Sequence, residues 1–142
     1  MSPTPPAGLF DLDGTLLDSI PDLSEACRRM MAELGRPPHS LEAIRTFVGK
    51  GMVNLVRRCL VESGSAQDAE VDAAVEVFRR HYAAVNGERT VIYPGVVEAL
   101  EALAAAGVPM ACVTNKPAAF TGPLLERTGI APLFQVTVRG DT

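Results

Sequence analysis

The sequence has 142 residues, of which 47% are hydrophobic and 21% charged, a composition typical of a folded domain or of two small folded units. The 17 acidic and 13 basic side chains give a formal net charge of −4, which disfavours a general nucleic-acid binder and a protein of anionic membrane surfaces. The 3 cysteines contain no C-x-x-C pair and predict reduced thiols, without a zinc site or a disulfide framework. No signal-peptide or membrane-spanning pattern is visible, so we expect a cytoplasmic protein.

The first predicted element is a short buried strand. Residues 8–12 form an apolar run that ends in Asp13-Gly14-Thr15, a sequence typical of a tight turn. From Ser19 onward, apolar residues recur at helical spacing in successive segments, with Ser19 and Ser40 as candidate helix caps. Residues 19–86 therefore predict a small all-helical unit.

The pattern changes again after Asn86-Gly87. The following segments predict, in order, a helix from Pro94-Gly95 to about Ala106, a strand from Val108 to Thr114, a helix that opens at Asn115-Lys116-Pro117 with a kink at Gly122-Pro123, and a strand from Phe134 to Val138. Alternating strands and helices favour an α/β fold with a Rossmann-like parallel sheet. We expect a partial α/β core of residues 1–17 and 91–142, with a helical unit of residues 18–90 inserted after the first strand.

The strongest chemical signal is Asp11-Leu12-Asp13-Gly14-Thr15, at the end of the first predicted strand. Residues two apart in a strand point the same way, so Asp11 and Asp13 should converge at the carboxyl edge of the sheet, where α/β proteins bind ligands. Two close carboxylates repel unless a cation or a proton accompanies them, and Mg²⁺ fits that need. The simpler alternative is an Asx turn in which these residues only shape the loop.

This motif continues with Leu16 and Asp18-Ser19, and the chain later carries Val113-Thr114-Asn115-Lys116-Pro117. From Leu9 to Thr142 the sequence thus resembles the haloacid dehalogenase-like superfamily, in particular its phosphoglycolate phosphatase branch. The resemblance implies that Asp11 is the nucleophile that forms an aspartyl-phosphate and that Asp13 is the general acid and base. It also implies Mg²⁺ held by the Asp11 carboxylate and the Asp13 main-chain carbonyl. A carbon–halogen substrate would need no proton from Asp13, so phosphate esters are favoured.

The resemblance also implies roles in substrate binding. The Thr114 hydroxyl and the backbone N–H groups around Asn115 would bind the transferring phosphoryl group. The inserted helices would form a cap, whose Lys50, between Gly49 and Gly51, would face a small anionic group of the substrate. The simpler alternatives are that Asn115 caps a helix, that Lys116 is an exposed cation at a helix start, and that the loop around Lys50 is a flexible link.

Members of the superfamily continue beyond the position of Gly140-Asp141-Thr142 with a lysine segment and a Gly-Asp-x-x-x-Asp segment. We do not expect Asp141 to replace the later metal ligands, and we expect the 142-residue chain to be weakly active, with an apolar sheet edge uncovered. The expected function is hydrolysis of 2-phosphoglycolate or a similar small phosphorylated metabolite. The alternatives are a sugar-phosphate phosphatase or phosphomutase, and a non-catalytic pseudo-enzyme, phosphate-binding or assembly module.

Overall fold

A computed structural model of the chain describes residues 7–139, so Asp141 lies outside the described residues. The chain divides into two compact units, one made of Met1–Asp18 with Val91–Thr142 and the other of Ser19–Thr90. The elements in chain order are β1 (Gly8–Phe10), β2 (Leu17–Asp18), α1 (Ile20–Glu33), α2 (Leu41–Phe47), α3 (Met52–Val61), α4 (Asp68–Val85), β3 (Val91–Ile92), α5 (Val96–Ala105), β4 (Met110–Val113), α6 (Ala118–Thr128), a 3₁₀ turn (Ala131–Leu133) and β5 (Val136–Val138).

The first unit contains a parallel sheet of three strands in the order β1-β4-β5. Phe10 pairs with Cys112, and Val113 pairs with Val138. The chain order of strands and helices confirms the predicted α/β class with a parallel sheet and a helical insert. Parallel pairing brings the carboxyl ends of these strands to one edge of the sheet, where the polar residues of the sequence motifs begin.

The two faces of this sheet differ in burial. One face contributes to a hydrophobic core made of Leu12, Leu16, Leu17, Leu100, Met110, Cys112, Leu124, Leu125 and Ile130. On the other face, Leu9 is 71% exposed, Val136 is 55% exposed, and Val113 and Val138 are exposed as well. Since alternate residues of a strand face opposite sides, these valines and the leucine form one apolar surface.

Helices α5 and α6 follow the sequence prediction closely. The left-handed backbone of Gly129 (φ 80°) ends α6, and its N–H donates to the carbonyls of Leu125 and Glu126. This is the ordinary way in which glycine ends a helix. Helix α6 continues through Pro123, which lies inside it.

The second unit is all-helical, as predicted for this stretch of sequence. Its buried core includes Met30 and Met31 of α1, and Phe78 and Tyr82 of α4, whose rings stack with centroids 5.6 Å apart. Ser40 caps α2 by accepting a hydrogen bond from Ala43 N at 3.1 Å. Across the part of the chain that the structure describes, no helix is long and apolar enough to cross a bilayer.

Candidate active site

A tight turn after β1 determines where the two aspartates of the motif lie. Gly14 has φ 81° and donates to the Leu17 carbonyl at 2.8 Å, while the Leu12 carbonyl accepts from the N–H groups of Leu16 and Leu17 at 3.0 Å. Leu12 is wholly buried in the core. Alternation along the chain therefore directs Asp11 and Asp13 away from that core, with Asp11 exposed and Asp13 half-buried.

The second polar segment follows β4. The Thr114 N–H donates to the Val138 carbonyl at 2.9 Å, which continues the sheet by one residue. The Thr114 hydroxyl oxygen accepts a hydrogen bond from Lys116 N at 3.1 Å. Thr114 is 6% exposed, so the loop that follows it starts from a fixed and nearly buried position.

Parallel pairing brings the ends of β1 and β4 together around a cavity of about 300 Å³. The cavity is lined by Leu9, Phe10, Asp11, Val113, Thr114 and Asn115. Three residues singled out in the sequence, Asp11, Thr114 and Asn115, thus share one cavity at the carboxyl edge of the sheet. Its size suits a small ligand, and three of the residues that line it, Asp11, Thr114 and Asn115, are polar.

Asp13 makes a contact that the sequence analysis missed. Lys116 Nζ lies 3.1 Å from Asp13 Oδ1, and the Lys116 side chain is 5% exposed. The interpretation of Lys116 as an exposed cation is therefore wrong, because this side chain is buried against a carboxylate. A signal was available: Lys116 closely follows a strand whose carboxyl end shares an edge with the end of β1.

The charges of the two aspartates also influence the strand beneath the site. Burial, together with the negative charges of Asp11 and Asp13, raises the pKa of Cys112 to about 11. Cys112 belongs to β4 and to the hydrophobic core. This thiol therefore stays protonated and unreactive at neutral pH, and contributes packing to the site.

The remaining predicted residues have different outcomes. Pro117 occupies the N-cap position of α6, so Asn115 lies two residues before that position, and the choice between a capping role and a phosphate-binding role for Asn115 stays a prediction. Lys50 is exposed in the loop between α2 and α3, where Gly49 and Gly51 have φ 121° and 91°. This loop belongs to the helical unit, and a role for Lys50 toward substrate stays a prediction.

The structure thus combines a parallel α/β unit, an aspartate-bearing turn after its first strand, and helices inserted after that turn in the sequence. Residues 9–142 match the family model described as haloacid dehalogenase-like hydrolase. The chain belongs to this family, and the resemblance predicted from its motifs is confirmed.

Similar proteins of known name support the same assignment. The chain is 48% identical over 137 residues to a phosphoglycolate phosphatase from Pseudomonas putida, covering 94% of this chain and 50% of that protein. It is 46% identical over 136 residues to the plasmid-encoded phosphoglycolate phosphatase of Cupriavidus necator, covering 96% of this chain and 59% of that one. The chain thus spans about half the length of the curated relatives it matches.

Solved structures show the same fold. A crystal structure from Haemophilus somnus, named a predicted phosphoglycolate phosphatase, superposes with a TM-score of 0.89 at 31% identity and covers 97% of this chain and 64% of that one. A haloacid dehalogenase-like family protein from Streptococcus pneumoniae gives 0.83 at 26% identity, covering 96% of this chain and 61% of that one.

Proposed function

We propose that the protein is a Mg²⁺-dependent phosphate monoester hydrolase that acts through an aspartyl-phosphate, with 2-phosphoglycolate or a similar small phosphorylated metabolite as its substrate. One observation carries the proposal: Asp11, Thr114 and Asn115 line a single cavity, and Asp13 follows Asp11 by two residues in the same turn. The names of the similar phosphoglycolate phosphatases support the choice of substrate.

The exposed Asp11 carboxylate is the proposed nucleophile. In the first step an oxygen of Asp11 forms a bond to phosphorus as the bond from phosphorus to the leaving oxygen breaks. Asp13 gives its proton to that leaving oxygen, so the product departs as an alcohol. In the second step water attacks the phosphorus of the aspartyl-phosphate, Asp13 takes a proton from the water, and inorganic phosphate leaves with Asp11 regenerated.

The segment after β4 would hold the phosphoryl group during both steps. Thr114, which is nearly buried, and Asn115 both line the cavity, and their hydroxyl and amide groups would provide the hydrogen bonds. Donors fixed before the substrate arrives stabilise the charge of the transition state without having to reorganise.

The donor atoms at the turn fit Mg²⁺. The ion prefers hard oxygen ligands and keeps several water molecules, so one or two protein oxygens are enough to hold it beside a phosphate. We propose the Asp11 carboxylate and the Asp13 main-chain carbonyl, the pair that the family resemblance implies, and the contact of Asp13 Oδ1 with Lys116 is compatible with this choice. Within residues 7–139 no group of three or more acidic, histidine or cysteine side chains adds to this set. When bound, the ion would reduce the repulsion between Asp11 and the phosphate.

We further propose that residues 18–90 form a cap that excludes water from the reaction. Four helices fold there as a compact unit, Ser19–Thr90, with its own buried core. The exposed Lys50, between two glycines with positive φ, would pair with the carboxylate of a substrate such as 2-phosphoglycolate. This pairing is the feature that would separate such a substrate from a phosphate ester whose organic group carries no charge.

The test is release of phosphate from 2-phosphoglycolate by the protein as its gene encodes it, with Mg²⁺ and with a chelator. We expect Mg²⁺-dependent turnover that Asp11→Asn abolishes, since an amide is a poor nucleophile, and a lower kcat/KM on a sugar phosphate. Asp18→Asn changes a nearby carboxyl of β2 in the same way and should retain turnover. Absence of turnover in the wild type, or turnover that survives in Asp11→Asn, would overturn the proposal.

Binding of beryllium fluoride provides a measurement on the 142-residue chain that needs no turnover. Beryllium fluoride binds a carboxylate oxygen in the way that a phosphoryl group does. We expect a bound ¹⁹F NMR signal in the presence of Mg²⁺ that disappears in Asp11→Asn and persists in Asp18→Asn. A bound signal that is the same in all three proteins would place the phosphoryl site elsewhere.

A further inference from the structure

We propose that Lys116 is a positioning residue that holds the Asp13 carboxylate in place for proton transfer. The inference rests on the proposed function, because it concerns the general acid and base of that reaction. It assigns a role to a lysine that the sequence motifs leave without one. Three observations support it: the ion pair, the anchoring of the lysine backbone, and the composition of the cavity.

The ion pair is largely shielded from water. Lys116 Nζ lies 3.1 Å from Asp13 Oδ1, with the two side chains 5% and 18% exposed. An ammonium group at such a depth is costly unless a carboxylate accompanies it, so the lysine and Asp13 stabilise each other in this arrangement. Solvent screening, which makes exposed ion pairs weak, has little effect on a pair buried this far.

The backbone of Lys116 is held on both sides. Its N–H donates to the Thr114 hydroxyl oxygen at 3.1 Å, and its carbonyl accepts from the Thr121 hydroxyl at 3.0 Å. Thr121 is wholly buried in α6. The position of the ammonium group is therefore set by β4 and α6, although the residue itself lies in the loop between them.

Asp13, in contrast, lies in a turn that the chain enters from the short strand β1 and leaves through Gly14. A carboxylate in such a place can rotate, whereas a proton donor must come within about 2.6–3.2 Å of the leaving oxygen. A misplacement of about 1 Å can reduce a rate by about 10²-fold. Lys116 restrains one carboxylate oxygen and so limits this rotation.

The composition of the cavity separates this role from direct binding of phosphate. Among the described residues, the lining consists of Leu9, Phe10, Asp11, Val113, Thr114 and Asn115, without Lys116. The lysine contacts the acid and base rather than the place where the phosphoryl group would lie. Its loss should therefore affect the proton-dependent step more than the binding of substrate.

Two substrates distinguish an effect on proton transfer from an effect on substrate binding. Both are tested with the protein as its gene encodes it. The alkoxide that leaves 2-phosphoglycolate needs a proton, whereas p-nitrophenolate leaves p-nitrophenyl phosphate without one. We would measure the first turnover in a rapid-mixing experiment, because later hydrolysis of the aspartyl-phosphate needs Asp13 for both substrates. Lys116→Met should slow the first turnover of 2-phosphoglycolate by ~10²-fold, with a much smaller effect on p-nitrophenolate release and on KM.

A second variant covers the case in which Lys116→Met does not fold. Lys116→Gln removes the charge but keeps a hydrogen-bond donor, and it should show the same selective loss to a smaller extent. Equal losses on the two substrates in a folded variant, or no loss on either, would overturn the proposal. Failure of the proposed function looks different: the wild type would lack turnover, or Asp11→Asn would retain it, on both substrates.

Discussion

The Thr90 hydroxyl donates a hydrogen bond of 2.6 Å to Asp22 Oδ2, across 68 positions of sequence. The Arg89 N–H donates to Oδ1 of the same carboxylate at 2.9 Å, and Asp22 is 1% exposed. The helical unit begins at Ser19 and ends at Thr90. The buried carboxylate in the first turn of α1 therefore holds the two ends of this unit together.

The first prediction concerns the stability that this carboxylate provides. Thr90→Val should lower the free energy of unfolding by about 1.5 kcal/mol, and Asp22→Ala by about 3 kcal/mol, because the second change leaves two donors without their acceptor. Urea unfolding measures both. Thr46→Val removes a hydroxyl on the exposed surface of α2 and should change the stability by less than about 0.5 kcal/mol. Equal effects of Thr90→Val and Thr46→Val would contradict the prediction.

The second prediction concerns the Thr114 hydroxyl. Thr114→Val should lower kcat/KM on a phosphate ester by about 10²-fold, the usual effect of losing one fixed donor to a transition state. Thr114→Ser keeps the hydroxyl and should retain most of the activity. Thr128→Val, which removes a hydroxyl bonded to the Leu124 carbonyl within α6, is the matched control and should retain activity. If Thr114→Ser loses as much activity as Thr114→Val, the hydroxyl has no such role.

The third prediction follows from the exposed apolar face of the parallel sheet. Contiguous apolar surface of this kind promotes association, so the 142-residue chain should self-associate as its concentration rises. Charges introduced by Val136→Lys with Val138→Lys should shift sedimentation velocity profiles toward the monomer. Val53→Lys, the control, adds a charge at an exposed valine of α3 in the other unit. This variant should leave the sedimentation profile unchanged. If the double variant self-associates as strongly as the wild type, a different surface is responsible for the association.

The fourth prediction concerns alkaline pH. Burial raises the pKa of Cys112 from an ordinary 9.0 to about 11, so the folded chain retains a proton that the unfolded chain loses. This contribution is fully present below pH 9 and is lost as pH rises through about 11. Its slope cannot exceed ~1.4 kcal/mol per pH unit. Cys112→Val should remove this slope while keeping the core filled. The measurement is the free energy of unfolding by urea at several pH values in this range. The same dependence of that free energy on pH in the two proteins would contradict the assignment.

The spacing of apolar residues, and the glycine and proline residues at the ends of elements, predicted most of the fold. Helix α5 follows Pro94-Gly95 and α6 ends at Gly129, because glycine marks helix ends through a local backbone preference. Strands β2 and β3 were not predicted, since two residues are too few to show any alternation. Their pairing depends on a contact between distant parts of the chain.

The two candidate serine caps show how local geometry limits such predictions. Ser40 has the extended backbone of a capping residue, with ψ 161°, and its hydroxyl oxygen accepts from Ala43 N. Ser19 occupies the N-cap position of α1, as predicted, but with ψ 3° its side chain makes no capping hydrogen bond. A side-chain cap needs the extended conformation, which the residue type alone does not specify.

The sequence predicted only some of the residues of the candidate site. The aspartate motif and Thr114-Asn115 are recognisable because each comes directly after a predicted strand. Since parallel strands end at one edge of the sheet, the two motifs were expected to lie close together. The burial of Lys116 was not predicted, because a lysine in isolation is expected at the surface. Its position after β4 was the available signal, because the turn after β1, which carries Asp13, and the loop after β4 lie side by side.

Strands β2 and β3 pair antiparallel, with Leu17 opposite Ile92 and Asp18 opposite Val91. The chain leaves the α/β unit at Asp18 and re-enters it at Val91, and these two residues lie on neighbouring strands, about 4.8 Å apart. The entropy of closing a loop at such a junction grows only slowly with the length of the loop. Foreign segments whose own termini lie equally close could be grafted between Asp18 and Val91, and such chimaeras should preserve the register of the parallel sheet. If the inserted helices act as the proposed cap, such an exchange should alter substrate preference without changing the aspartate turn.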